Sequence, residues 1–143
     1  MAGLRSGSLR TFAIPTPLRL SALWASTMLC YVYGDFFGLF RPGRVMAMNA
    51  GIIGPLGPAT PTVLVSVSLM MAIPSLMIAL SLFLPAALNR WANIVLGLIY
   101  TAIMLLTMRG AQPFYVVLGS IEVALTLAIV VCAWRWPRDV AHG

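Results

Sequence analysis

Two carboxylates, Asp35 and Glu122, stand inside stretches of apolar sequence. An acid inside a membrane span costs roughly 2.5–3.5 kcal/mol on insertion scales, so it needs a protein or water environment. Such a group can bind a cation or small amine, or relay a proton. Helical spacing extends both sites. Tyr115, Gly119, Glu122 and Thr126 follow at steps of four, three and four, which places them on one helix face. Tyr31, Asp35 and Gly38 share another face. The glycines admit a close helix or leave room for a ligand. Arg109 is the predicted partner of Glu122, and Arg41 is the nearest candidate for Asp35. Two readings follow. One is an outward-facing polar pocket lined by Asp35, Glu122, Tyr31 and Tyr115. The other is a set of interhelical hydrogen bonds or ion pairs that only fix packing.

Other chemistry finds little support. Met70, Met71 and Met77 read as adaptable packing residues, with no His or Cys at like depth to build a metal site. Cys30 and Cys132 fall about 18 Å and about 3 Å above one boundary, too far apart for a disulfide. No nucleotide loop, zinc motif or serine elbow appears. No cofactor and no metal are expected, and an enzyme is the least supported class. Pro74 falls mid-span, where it frees the carbonyl of Met70 and kinks the helix. Ser66, Ser75 and Ser81 are candidates to re-satisfy nearby carbonyls.

These residues need elements to hold them. Of the 143 residues, 61% are hydrophobic and only 8% charged. A soluble domain carries roughly 25% charge, so this reads as an integral membrane protein. Unbroken apolar runs give helices rather than strands. Four spans are predicted at about 18–40, 62–84, 91–108 and 114–134, within a domain covering 18–137. Each is near the ~20 residues needed to cross a bilayer. Residues 1–17 and 138–143 read as tails, and the first span as retained rather than cleaved. The fold class is all-α, a four-helix transmembrane bundle.

Net charge is +6, from nine arginines against three acids. The arginines stand singly at span ends, which anchors a membrane protein and argues against nucleic acid. With both termini inside, Arg5, Arg10, Arg19, Arg90, Arg135 and Arg138 are cytoplasmic, and Arg41, Arg44 and Arg109 lie outside. That asymmetry supports cytoplasmic N- and C-termini. It also puts Asp35 and Glu122 at similar depths, about 8 Å and about 12 Å below the outer boundary. Residues 41–61 are rich in Gly and Pro yet almost free of polar side chains. They are expected to form an ordered outer loop, with Gly51–Pro58 partly buried against the bundle.

Three blocks carry a resemblance: Tyr31 to Gly43, Asn89 to Ile94, and Ile121-Glu122 followed by Ala133 to Pro137. In this order they resemble a family of small bacterial four-span membrane proteins, domain of unknown function 6326. The resemblance covers roughly residues 18–137. It implies the four-span architecture and singles out Asp35, Asn89, Arg90, Asn93 and Glu122. The family pattern often has an acid before the proline of span two; here Ala72 stands there. In physical terms Asn89 is placed to cap the third span, Arg90 to reach headgroups beside Trp91, and Asn93 to bond a neighbouring helix.

Three functions are weighed. The first is binding or transport of a small molecule, lipid group or proton through the outer pocket, in a homo-oligomer that completes a path. The second is a non-catalytic accessory subunit bound to a partner membrane protein. The third is a membrane enzyme acting on lipid or quinone.

Overall fold

The computed structural model describes residues 13–137, and all of its regular structure is helical. The elements are α1 (Thr16–Gly38), α2 (Arg44–Asn49), a 3-10 turn (Gly54–Leu56), α3 (Pro61–Phe83), α4 (Ala86–Thr107) and α5 (Pro113–Trp134). The expectations for residues 1–12 and 138–143, with Arg5, Arg10, Arg138 and Asp139, lie outside the described residues.

Proline starts the long helices. Pro61 and Pro113 open α3 and α5, Pro17 lies in the first turn of α1, and Pro85 is the cap residue of α4. A first-turn proline loses no helical bond, because that amide has no partner in any case. Thr60 adds a side-chain cap, accepting from the Val63 amide at 3.3 Å. The cap of α4 corrects the expectation for Asn89, which lies inside the first turn and serves another purpose.

α3, α4 and α5 are each long and apolar enough to cross a membrane. α1 has the same length as α3 but is less apolar, because it carries Arg19 and Asp35 among several hydroxyl side chains. α1 packs against α3 and α5, and α4 packs against α5. The interior is half polar. Among the described residues, eight buried hydrophobic side chains accompany eight buried polar or charged ones. Meanwhile Phe83, Leu69, Leu106 and Val117 are mostly exposed. In water that arrangement would be inverted; in hydrocarbon the polar groups are the ones that need an inside.

Two carbonyls of α3 fix its register against α4. Pro74 denies an amide to Met70 O, and the Tyr100 hydroxyl donates to that oxygen instead. Pro85 cannot donate to Ser81 O, and Asn89 Nδ2 does so at 2.6 Å. The acceptors are three helical turns apart on α3, and the donors are three turns apart, in reverse order, on α4. The serines expected to serve this purpose do not: Ser66 and Ser75 bond Thr62 O and Met71 O within their own turns.

Asn93 extends this network. Its Nδ2 donates to Asn89 O and Oδ1 at 2.8 and 2.7 Å, and its Oδ1 accepts from Trp24 Nε1 at 2.7 Å. One chain of bonds thus joins α1, α4 and α3. Trp24 also meets Tyr100 edge-on, with ring centroids 5.9 Å apart. Arg90 closes the same end of the bundle. Its guanidinium lies 5.7 Å from the rings of both Trp91 and Trp134, and Nη2 donates to Trp134 O at 3.4 Å. It therefore serves the C-terminus of α5, where a cation is favoured.

Between α1 and α3 the chain forms α2, the 3-10 turn and an antiparallel bridge between Ile52 and Pro58. Gly51, Gly54 and Gly57 take positive φ there, which explains the glycine spacing. No residue from 41 to 60 is fully buried; Ile53, Gly54 and Gly57 are half-buried. The segment folds on itself, with the Arg44 guanidinium laid over Gly54.

Candidate functional site

Glu122 is 2% exposed, and its Oε2 has no hydrogen-bond partner. The residues expected on its face do turn inward: Gly119, Glu122 and Thr126 are buried and Tyr115 is half-buried. Thr126 Oγ1 donates back to Glu122 O at 2.9 Å and lies 2.7 Å from Thr101 Oγ1 of α4. The carboxyl itself is left over. A second orphan lies within its electrostatic reach: the Tyr31 hydroxyl of α1 is buried without a partner. Glu122, Tyr100 and Tyr115 all act electrostatically on Tyr31, so these groups converge on one region between α1, α4 and α5.

Glycine makes that region possible. A Cβ on Gly119 would meet Met108 Sδ at 2.8 Å and Met104 Sδ at 3.1 Å. A Cβ on Gly97 would meet Val130 Cγ2 at 2.7 Å. α4 and α5 are in close approach at both places, and a larger residue would drive them apart.

Arg109 is not the partner of Glu122. It is exposed in the turn after α4, and the thioethers of Met104 and Met108 fill the space over Gly119, one turn from the acid. Asp35 also departs from expectation. It is exposed, and the buried glycine of its helix is Gly34, which Leu118 Cδ1 approaches to 3.8 Å of a Cβ position. Gly38 has nothing near it. The cation acting on Asp35 is Arg44 rather than Arg41. Asp35 still lies within electrostatic reach of Glu122. The four residues expected to line an open pocket therefore divide: Glu122 and the Tyr31 hydroxyl lie inside, whereas the Tyr115 hydroxyl and Asp35 stand at the rim. Glu122 is closed off rather than facing outward. Tyr115 donates to Thr107 Oγ1 at 3.3 Å.

The sequence reading missed Tyr100, which satisfies Met70 O and lies within electrostatic reach of Tyr31. The available signal was the proline: a carbonyl freed inside a span must recruit a donor from a neighbour.

A family model described as "Family of unknown function (DUF6326)" matches residues 16–142. No curated protein and no solved structure matches the chain.

Proposed function

The chain belongs to the DUF6326 family of unknown function, and on that premise we propose a four-span membrane protein that binds a small cation at Glu122. The cation is a proton or a small protonated amine. One observation carries this reading: a carboxyl 2% exposed, with an unpartnered oxygen, whose charged neighbour is another acid, Asp35. A buried carboxylate without a counter-charge is costly, and a bound positive charge removes that cost. The unpartnered Tyr31 hydroxyl serves the ligand, with Tyr115 toward the exposed side, and Met108 over Gly119 closes the site on its loop side. α1 is the fourth crossing, and the loop segment 39–60 lies outside a bacterial inner membrane, with both ends of the chain inside. Four helices are few for a transport path, so a homo-oligomer completes it.

The test is flux in proteoliposomes that hold a pH-sensitive dye. An imposed potassium diffusion potential and, separately, a methylammonium gradient supply the driving force. Wild-type protein is expected to change internal pH in at least one arm, and Glu122→Gln to abolish the change. Traces equal to protein-free vesicles, or an unaltered Glu122→Gln trace, overturn the proposal.

A specific observation favours a second reading. Tyr33, Phe36 and Phe37 of α1 and Phe40 just after it form a run of contacting rings, between 47% and 75% exposed. Such a ladder suits an accessory subunit docked against a partner membrane protein.

A further inference from the structure

We infer that a second site, at the opposite end of the bundle, binds the headgroup and upper acyl chain of an anionic phospholipid. Between the start of α1 and the end of α5 lies an open groove of about 890 Å³. Its walls are set by small side chains one turn apart, Ala22 and Ser26 on α1 and Ala128 and Cys132 on α5. Arg19 and Arg135, both exposed, stand at its rim. From Arg19 to Ser26 the groove runs about 10 Å along the helix axis, most of the depth of one hydrocarbon leaflet. The shape is an apolar slot with two cations at its mouth.

Charge selects the occupant. Of the two acids among the described residues, Asp35 lies at the other end and Glu122 near the middle of α5. Asp35 is 16 residues from Arg19 and Glu122 is 13 from Arg135, about 24 Å and about 20 Å along their helices. Both separations are far beyond ion-pair distance. Arg90, at the same end, is already held between Trp91, Trp134 and the Trp134 carbonyl. Among the described residues Arg19 and Arg135 thus face no acid, and a headgroup phosphate at the mouth of an apolar slot complements them. A second copy docked about a two-fold axis would instead bring both guanidiniums against their own images.

The experiment is native mass spectrometry of the full chain in detergent micelles supplied with equal amounts of phosphatidylglycerol and phosphatidylcholine. Wild-type protein is expected to retain phosphatidylglycerol. Arg19→Gln and Arg135→Gln are each expected to lower the preference roughly fivefold, and the double variant to bring it near parity. Ala128→Trp, which fills the slot, is expected to reduce retention of both lipids, with helicity by circular dichroism unchanged. Equal retention of the two lipids by wild type, or a preference that survives the double variant, overturns the site. So does a dimer that separates on Ala128→Trp, or lipid that binds only after residues 1–12 are removed.

Discussion

A carbonyl deprived of its amide by proline keeps its need for a donor wherever water is absent. Tyr100 meets that need for Met70 O, so Tyr100→Phe is expected to cost about 1–3 kcal/mol of stability. The mechanism makes a sharper claim about coupling. Pro74→Ala restores an amide that can bond Met70 O, and in that background Tyr100→Phe is expected to cost much less. Thermal unfolding of the four proteins in one detergent gives the cycle, and purely additive costs would falsify the assignment. Glu122 offers a second residue-scale test. Dicyclohexylcarbodiimide is apolar and modifies carboxyls that hold a proton in apolar surroundings. Peptide mapping is expected to find one adduct at Glu122, none in Glu122→Gln, and slower labelling with excess methylammonium. An unmodified Glu122 in protein labelled elsewhere counts against a proton-binding site. Part of this was legible in the sequence. Pro74 announced the freed carbonyl, and the acid in an apolar run announced Glu122. The donors were not legible, because Tyr100 and Asn89 reach across to another helix and no local spacing encodes that. Arg109 failed for a related reason: its length allowed the reach, but Met104 and Met108 occupy the way.

The same contrast holds for the elements. The inner face of α5 could be read from Tyr115, Gly119, Glu122 and Thr126, because polar and small residues recur there at helical spacing. α1 could not be read this way. It carries hydroxyl, aromatic and apolar residues on every side, and its buried glycine is Gly34 rather than the Gly38 aligned with Asp35. A helix in hydrocarbon gains nothing by hiding leucine, so hydrophobicity does not mark its inner face. Its polar and small side chains do, and α1 has them in two registers. Where glycine sets a crossing, the cost of enlarging it follows from the contact. Gly97→Leu places carbon where Val130 and the Thr126 carbonyl already stand, at 2.7 and 3.2 Å from a Cβ. The expected loss is about 1–3 kcal/mol, since an overpacked interface must shift. Gly38→Leu meets nothing and is expected to leave the midpoint unchanged. Melting curves for the pair check both; equal losses overturn the contact assignment, because helix propensity alone favours leucine over glycine at both positions.

At the scale of the molecule the open question is how many helices cross, and α1 decides it. Three helices satisfy length and apolarity without help, which by itself puts the two ends of the described chain on opposite sides of a three-span protein. Packing argues for four. Twenty-three residues of α-helix reach about 34 Å, enough for ~30 Å of hydrocarbon. α1 is gripped along that length, with Leu20, Trp24 and Thr27 buried near one end and Gly34 near the other. Trp24 is bonded to Asn93 of α4 and meets Tyr100 edge-on, so α1 cannot leave the bundle without orphaning buried polar groups. Its arginine and aspartate fall near opposite ends, where charge is tolerated best. The two counts predict different sides for Ile14. In a background with Cys30→Ser and Cys132→Ser, introduce Ile14→Cys, Ala50→Cys or Ala87→Cys singly, and treat sealed right-side-out vesicles with a membrane-impermeant maleimide. Four crossings place Ala50 outside and Ile14 inside with Ala87. The expected result is labelling of Ala50→Cys alone until the vesicles are opened. Labelling of Ile14→Cys together with Ala50→Cys in sealed vesicles means that α1 does not cross. In that case the Glu122 site loses Tyr31 as a bilayer-embedded wall, and the groove at Arg19 loses its place at the inner leaflet.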